Sequence, residues 1–285
     1  MRHLIIKNFE CKYSTLVLSC NNIKTFNQIT GFRSNSILNF INESPLEKKL
    51  LKDIKNVVLW DKPENTSFYL RKFLFKVDRN KINITTFNKS IIIGVMLSDG
   101  YLEKRKGWNP RIRIEQSIKY IEYIWYLFNQ LAVLVNSYPY MIKRNLRGKW
   151  FYSLSFKTRQ LNSINEIYNL FYNGENKKCL NISLIHYFNY IVLAHWIMGD
   201  GSKMGKGIIL CTDSFSIVEV VLLMNILLIK YDVSSTIHYV TFVSLRGEKI
   251  NNIKAPRIYI NGKNLDKIRL YIKPYILNCF LYKIE

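Results

Sequence analysis

Two stretches of this chain close in the same way. "IIGVMLSDG" runs from Ile92 to Gly100 and "LAHWIMGDG" from Leu193 to Gly201, each an apolar run followed by a small residue, an aspartate and a glycine. The two aspartates, Asp99 and Asp200, lie 101 positions apart (200 minus 99). Met with once, Asp-Gly after an apolar run reads as a turn or a helix end, because glycine tolerates the left-handed backbone found there. An acid at a helix C-terminus nevertheless meets the partial negative charge of the macrodipole, so something should compensate for it. Recurrence at matched positions points to an internal repeat, and a repeat narrows the topology sharply: what the first half builds, the second half builds again.

Hydropathy supports a folded chain. With 285 residues, 48% of them hydrophobic, the protein can bury one large core or two modest ones. A formal net charge of +22, with lysine and arginine spread along the whole length, points to a polyanionic partner. Nucleic acid comes first and a membrane surface second. The longest apolar stretch, Ile217 to Ile229, is interrupted by Glu219 and Asn225 and falls short of the roughly 18–20 residues a spanning helix needs. No secretory signal stands at the N-terminus, where MRHLIIKNF bears a faint likeness to a transit peptide. Alanine occurs only at Ala132, Ala194 and Ala255, while Ile, Asn, Lys, Tyr and Phe abound, as an AT-rich coding genome of the organellar kind would produce.

The 5 cysteines form no C-x-x-C pair and the 4 histidines no H-x-x-x-H pair. Neither a disulfide framework nor a zinc site fits this spacing, so any metal should be bound through oxygen.

The periodicity divides the chain. Residues 1–85 are polar and irregular, with one helix expected from Ser44, which has Pro45 and Glu47 as start signals. From Lys89 the pattern becomes regular. A helix over Ile91 to Ser98 is followed by "RIRIEQS", whose alternation marks a strand with one basic face, and by a helix that Ser117 can cap. Strands are expected over Tyr140–Asn145 and Trp150–Phe156 around an Arg147-Gly148 turn, then a helix over Leu161–Phe171. The second half repeats the order: a helix over Ile191–Gly199, a strand through "GIILCTD", and a Ser214-capped helix to Lys230. Strands near Thr236–Leu245 and Arg257–Ile260 and a helix from Asn264 complete it. The fold class is therefore α+β, two tandem αββαββα units at 86–187 and 188–285.

These residues resemble the LAGLIDADG homing endonucleases of the monomeric, two-motif kind found in organellar introns. The nine family positions fall on Ile92–Gly100 and Leu193–Gly201, and "IILCTDSFS" and "IKPYILNCFLYK" extend the likeness, which covers about residues 88–285. The sixth motif position departs from the family name, carrying Leu97 and Met198 in place of an acid. The resemblance implies a DNA-binding saddle of antiparallel sheets. It implies two motif helices packed together through Gly94, Ser98, Ala194 and Gly199, with Asp99 and Asp200 brought together over the scissile phosphates. Two such carboxylates repel unless a cation lies between them, and Mg²⁺ is the implied ion, with Gly100 and Gly201 as adjoining ligand positions. The implied chemistry is metal-assisted phosphodiester hydrolysis of a double-stranded DNA target.

The family also places one basic residue per half near the site. Lys178 and Lys283 match, at offsets of 79 (178 minus 99) and 83 (283 minus 200), with Lys177 a close neighbour of the first. A solvated surface lysine is the alternative for each. Arg111, Arg113, Lys143, Arg144, Lys157, Arg257 and Lys263 are expected to contact phosphates or bases, and Gln116 and Asp213 to occupy symmetry-related places close to the site. The implied protein is a monomer encoded in a mitochondrial genome. A maturase of the same fold, binding its host intron RNA, remains the alternative, because basic charge serves both. A basic structural or lipid-bound protein would leave the matched acids unexplained.

Overall fold

The computed structural model describes residues 74–146, 148–173, 177–243 and 249–285. The helix expected from Ser44 and residue 147 of the expected turn lie outside them. Element order is α1 (Lys76–Lys81), α2 (Thr86–Met96), β1 (Tyr101–Glu103), β2 (Arg111–Ser117), α3 (Ile121–Gln130), β3 (Tyr140–Leu146), β4 (Lys149–Lys157) and α4 (Ile164–Phe171). There follow α5 (Leu184–Tyr187), α6 (Tyr190–Asp200), β5 (Gly201–Met204), β6 (Gly207–Leu210), α7 (Ile217–Tyr231), β7 (Thr236–Val243), β8 (Lys249–Ile260) and α8 (Gly262–Ile272). From α2 the order αββαββα occurs twice. The two antiparallel sheets have four strands each, in the orders β1-β2-β4-β3 and β5-β6-β8-β7, so the repeat seen in the motifs extends to strand pairing.

By packing, the described chain falls into two compact units, one of residues 83–110 with 163–285, the other of 111–162 with 74–82. In the first, α2 and α6 form the core. Val192 to Met198 of α6 and Ser90 to Met96 of α2 are all buried, as helices apolar on every side should be. Each is started by a side-chain cap: Thr85 accepts from the Asn88 N–H, and Asn189 accepts from the N–H groups of Ile191 and Val192. Asn189 also donates to Ser90 Oγ at 2.7 Å, so the cap of one helix is tied to the first turn of the other. Gly94 and Gly199 allow the close approach. A Cβ on Gly94 would lie 2.5 Å from His195 Cβ and 2.6 Å from the Val192 carbonyl, and one on Gly199 would run into Ser98. Position 94 plus 101 is 195, and 98 plus 101 is 199. Each glycine thus faces its own counterpart in the repeat, as residues on a twofold axis must.

In the other unit, Ile112 and Ile114 are buried on one face of β2, and their register partner Phe156 and the neighbouring Leu154 are buried on the same face of β4. That face meets the apolar side of α3, where Ile124, Leu127 and Phe128 are buried; the Phe128 and Phe156 rings lie edge to face at 5.8 Å. Ser117 caps a single 3₁₀ turn, Ile118–Tyr120, before α3 begins. The start of α7 also differs from expectation. Ser216, not Ser214, is its cap, in a reciprocal box with Glu219; that box needs a Glu or Gln three residues on, and Ser214 has Ile217 there.

Candidate active site

Asp200 is the last residue of α6, whereas Asp99 stands in the turn just beyond α2. Glycine follows each acid because the chain doubles back against its own helix. A Cβ on Gly100 would sit 2.9 Å from the Val95 carbonyl, and one on Gly201 2.5 Å from that of Ile197. The Gly100 and Gly201 N–H groups bond those same carbonyls, closing both helix ends. Only their own carbonyl oxygens could serve a cation, since an N–H cannot.

What compensates at the α6 terminus is Lys283. The residue is 5% exposed, and its ammonium donates to the carbonyls of Met198 at 2.6 Å, Ile197 at 3.2 Å and Gly199 at 3.4 Å. A buried cation on the last carbonyls offsets the helix dipole and makes an acid tolerable there. Burial pushes the Lys283 ammonium down to about 8, against the pull of Asp200 and Asp99. Asp200 is pushed up to about 7, first by burial and next by the like charge of Asp99, with Lys178 and Lys283 pulling the other way and Asp213 adding to the rise. These are the marks of two acids and two lysines sharing a half-dry site.

Lys178 reaches the same acids from the loop after α4. Burial lowers its pKa, and Asp200, Asp99 and Glu219 oppose that shift in this order. Its ammonium lies 5.3 Å from the centre of the Phe215 ring. Lys177, its neighbour, is exposed. Among the described residues, no group of three or more His, Cys, Asp or Glu side chains could hold a metal. His195, wholly buried against Gly94, is held at about 3 by burial and stays neutral.

The expected nucleic-acid contacts divide by face. In β2, β3 and β4, pairing puts Arg111, Arg113, Glu115, Arg144 and Lys157 on the face opposite the buried isoleucines. Lys143 points to the other side, 4.1 Å from the Trp150 ring centre, because register pairs it with Tyr152 rather than Phe151. Burial pushes the Glu115 carboxyl up, but bonds and charge from Arg144, Ser153 and Arg113 outweigh it and hold it low. In the second sheet Asp213 accepts two bonds from Arg257, at 2.7 and 2.5 Å, and is held low chiefly by them. In each half an acid, Glu115 of β2 or Asp213 in the turn after β6, thus fixes an arginine on the sheet face away from the buried residues. Lys263 lies elsewhere, exposed in the first turn of α8. Asp213 does act on Asp200, whereas the Gln116 side chain accepts from the Ser117 N–H beside it.

Residues 89–268 match the LAGLIDADG DNA endonuclease family. The chain belongs to that family. The cytochrome b mRNA maturase bI2 of Saccharomyces cerevisiae is 34% identical over 236 residues, covering 76% of this chain and 54% of that protein. This chain thus spans about half the length of that relative. The protein of the same name from Debaryomyces hansenii is 30% identical over 75% of this chain and 82% of its own. An intron-encoded endonuclease, ai4, of Dictyostelium discoideum is 31% identical over 56% of this chain and 98% of its own. The fold matches that of the homing endonuclease I-WcaI bound to its DNA recognition sequence, with a TM-score of 0.66 and 24% identity over 77% of this chain and 97% of that one. The stretches expected to carry the motif positions fall on α2 and α6, and the acids that close them are Asp99 and Asp200.

Two site residues escaped the sequence reading. Glu219 and Phe215 flank Lys178, and the S-x-x-E pattern at Ser216–Glu219 was the signal for the first.

Proposed function

We propose that this chain is a site-specific, double-strand DNA endonuclease, encoded in an organellar intron and acting as a monomer of two repeats, 86–187 and 188–285. The observation that carries the reading is the shared field of Asp99, Asp200, Lys178 and Lys283 at the ends of two helices packed about an internal twofold. Duplex DNA would meet the polar face that holds Arg111, Arg113, Arg144 and Lys157 in the one sheet and that of Arg257 in the other, mostly through phosphates.

The donor set fits a hard divalent cation such as Mg²⁺. Two carboxylates offer oxygen only, and Asp200 pays for its burial with a raised pKa that a cation would reverse. Asp99 and Asp200 would hold the ion, with the Gly100 and Gly201 carbonyls, water and phosphate oxygens as the remaining ligands. Bound there, Mg²⁺ supplies a more acidic water and polarises the phosphate. Lys283 keeps the α6 terminus in place and favours the ionised form of Asp200 without outweighing its burial. Lys178 offers its ammonium to charge that develops on the phosphate oxygens.

The test is an intronless DNA made by joining the flanking exons, incubated with Mg²⁺ and the purified protein, beside Asp99→Asn and Asp200→Asn. We expect a staggered cut near the junction, lost in both variants while DNA binding persists. A second reading is favoured by the two relatives called cytochrome b mRNA maturase, which cover three quarters of this chain. An uncut junction together with tight binding of the host intron RNA would sink the endonuclease and establish the maturase.

A further inference from the structure

We propose that Glu219 is a positioning residue, which sets Lys178 against the acid pair by clamping the backbone of the Lys178 loop to the first turn of α7. The inference rests on the site reading given above. Lys178 stands on a loop, and a loop side chain is only as well placed as its backbone. On one side that backbone is tied to the end of α4: Cys179 N–H donates to Phe171 at 2.9 Å and Asn181 N–H to Leu170 at 3.0 Å. Between those two bonds lies Leu180, whose N–H faces the other way. It donates to Glu219 Oε1 at 2.8 Å, across 39 positions of sequence.

The carboxylate itself is held. Its second oxygen, Oε2, accepts from the Ser216 N–H and from Ser216 Oγ, both at 2.7 Å. A capping box normally uses only that second oxygen, so Glu219 joins two tasks: it starts α7 with Oε2 and anchors the loop with Oε1. The same turn supplies Phe215, whose ring lies below the Lys178 ammonium. One turn from the second half of the sequence therefore fixes both backbone and head group of the lysine from the first half. Glu219 touches no reacting atom on this account, and acts only through Lys178.

Single-turnover cleavage of the target duplex, with saturating protein, reads the effect in a double-mutant cycle. Glu219→Ala should slow cleavage roughly 10- to 100-fold, as a misplaced catalytic group does. In a Lys178→Ala background the same change should have less than about a twofold effect, since coupled residues are non-additive. Glu219→Gln keeps an acceptor for the Leu180 N–H and should restore the rate to within about threefold of the parent. Ser216→Ala breaks the box but spares the Leu180 bond, and should leave the rate nearly unchanged. Equal slowing by Glu219→Ala with and without Lys178, or slowing by Ser216→Ala as large as by Glu219→Ala, would overturn the clamp while leaving the site reading intact. An unchanged rate for Lys178→Ala would overturn the role of Lys178 first, and the clamp with it.

Discussion

Asp200 concentrates the chemistry of this protein in one side chain. Its folded pKa of about 7 lies above the ordinary carboxylate value of 3.8, so the metal-free fold binds a proton that the unfolded chain releases. The stability this provides is complete below about pH 4 and is lost as pH rises through 7. Asp200→Asn should therefore be more stable than the parent at pH 8 without metal, by about 2–4 °C in Tm per kcal/mol recovered, and equal to it at pH 4. A parent Tm that does not fall between pH 4 and 8 relative to Asp200→Asn would refute the burial argument. Lys283→Met is expected to cost about 1–3 kcal/mol, because three helix-end carbonyls lose their donor. Chemical denaturation checks this; an unchanged midpoint would mean that water replaces the ammonium at no cost.

At the scale of elements, the decisive contact is helix on helix. α2 and α6 approach so closely at Gly94 that a methyl group there would meet both a side chain and a carbonyl. Gly94→Ala should destabilise by about 1–3 kcal/mol, as overpacking does, and should also reduce cleavage, because both acids ride on the same pair of helices. Thermal unfolding and cleavage measured on one preparation test this together. A variant as stable and as active as the parent would show that the interface can slide apart.

The whole molecule is read through its charge. With a net +22 and basic side chains set on polar sheet faces, binding to nucleic acid should fall steeply and linearly in log affinity against log salt. Charge removal at Arg111 or Lys157 should reduce that slope by about one each and weaken all sequences alike. The charge alone does not separate DNA from RNA; the acid pair favours a nuclease, since RNA binding has no need of it. Among the described residues no helix is long and apolar enough to cross a membrane.

Much of this was legible in the one-dimensional pattern. The repeated apolar-Asp-Gly motif and the alternation of "RIRIEQS" announced the two αββαββα halves, because period and spacing are properties of the chain itself, whereas the acids and lysines of the candidate site were singled out by the resemblance to the LAGLIDADG family. Strand β2 ran from Arg111 to Ser117 as its alternation required. The short strands β1 and β5 gave no such signal: three or four residues are too few for a period. Pairing register, which is set by the partner strand, turned Lys143 away from its basic neighbours. Only the folded chain could bring Lys283 onto the α6 carbonyls or a Glu219 oxygen to the Leu180 N–H, since each contact joins positions 39 or more residues apart. Sequence thus determined which groups the protein possesses and how often they recur, and tertiary packing decided which of them share a field, because a charge acts over distance in space and not along the chain.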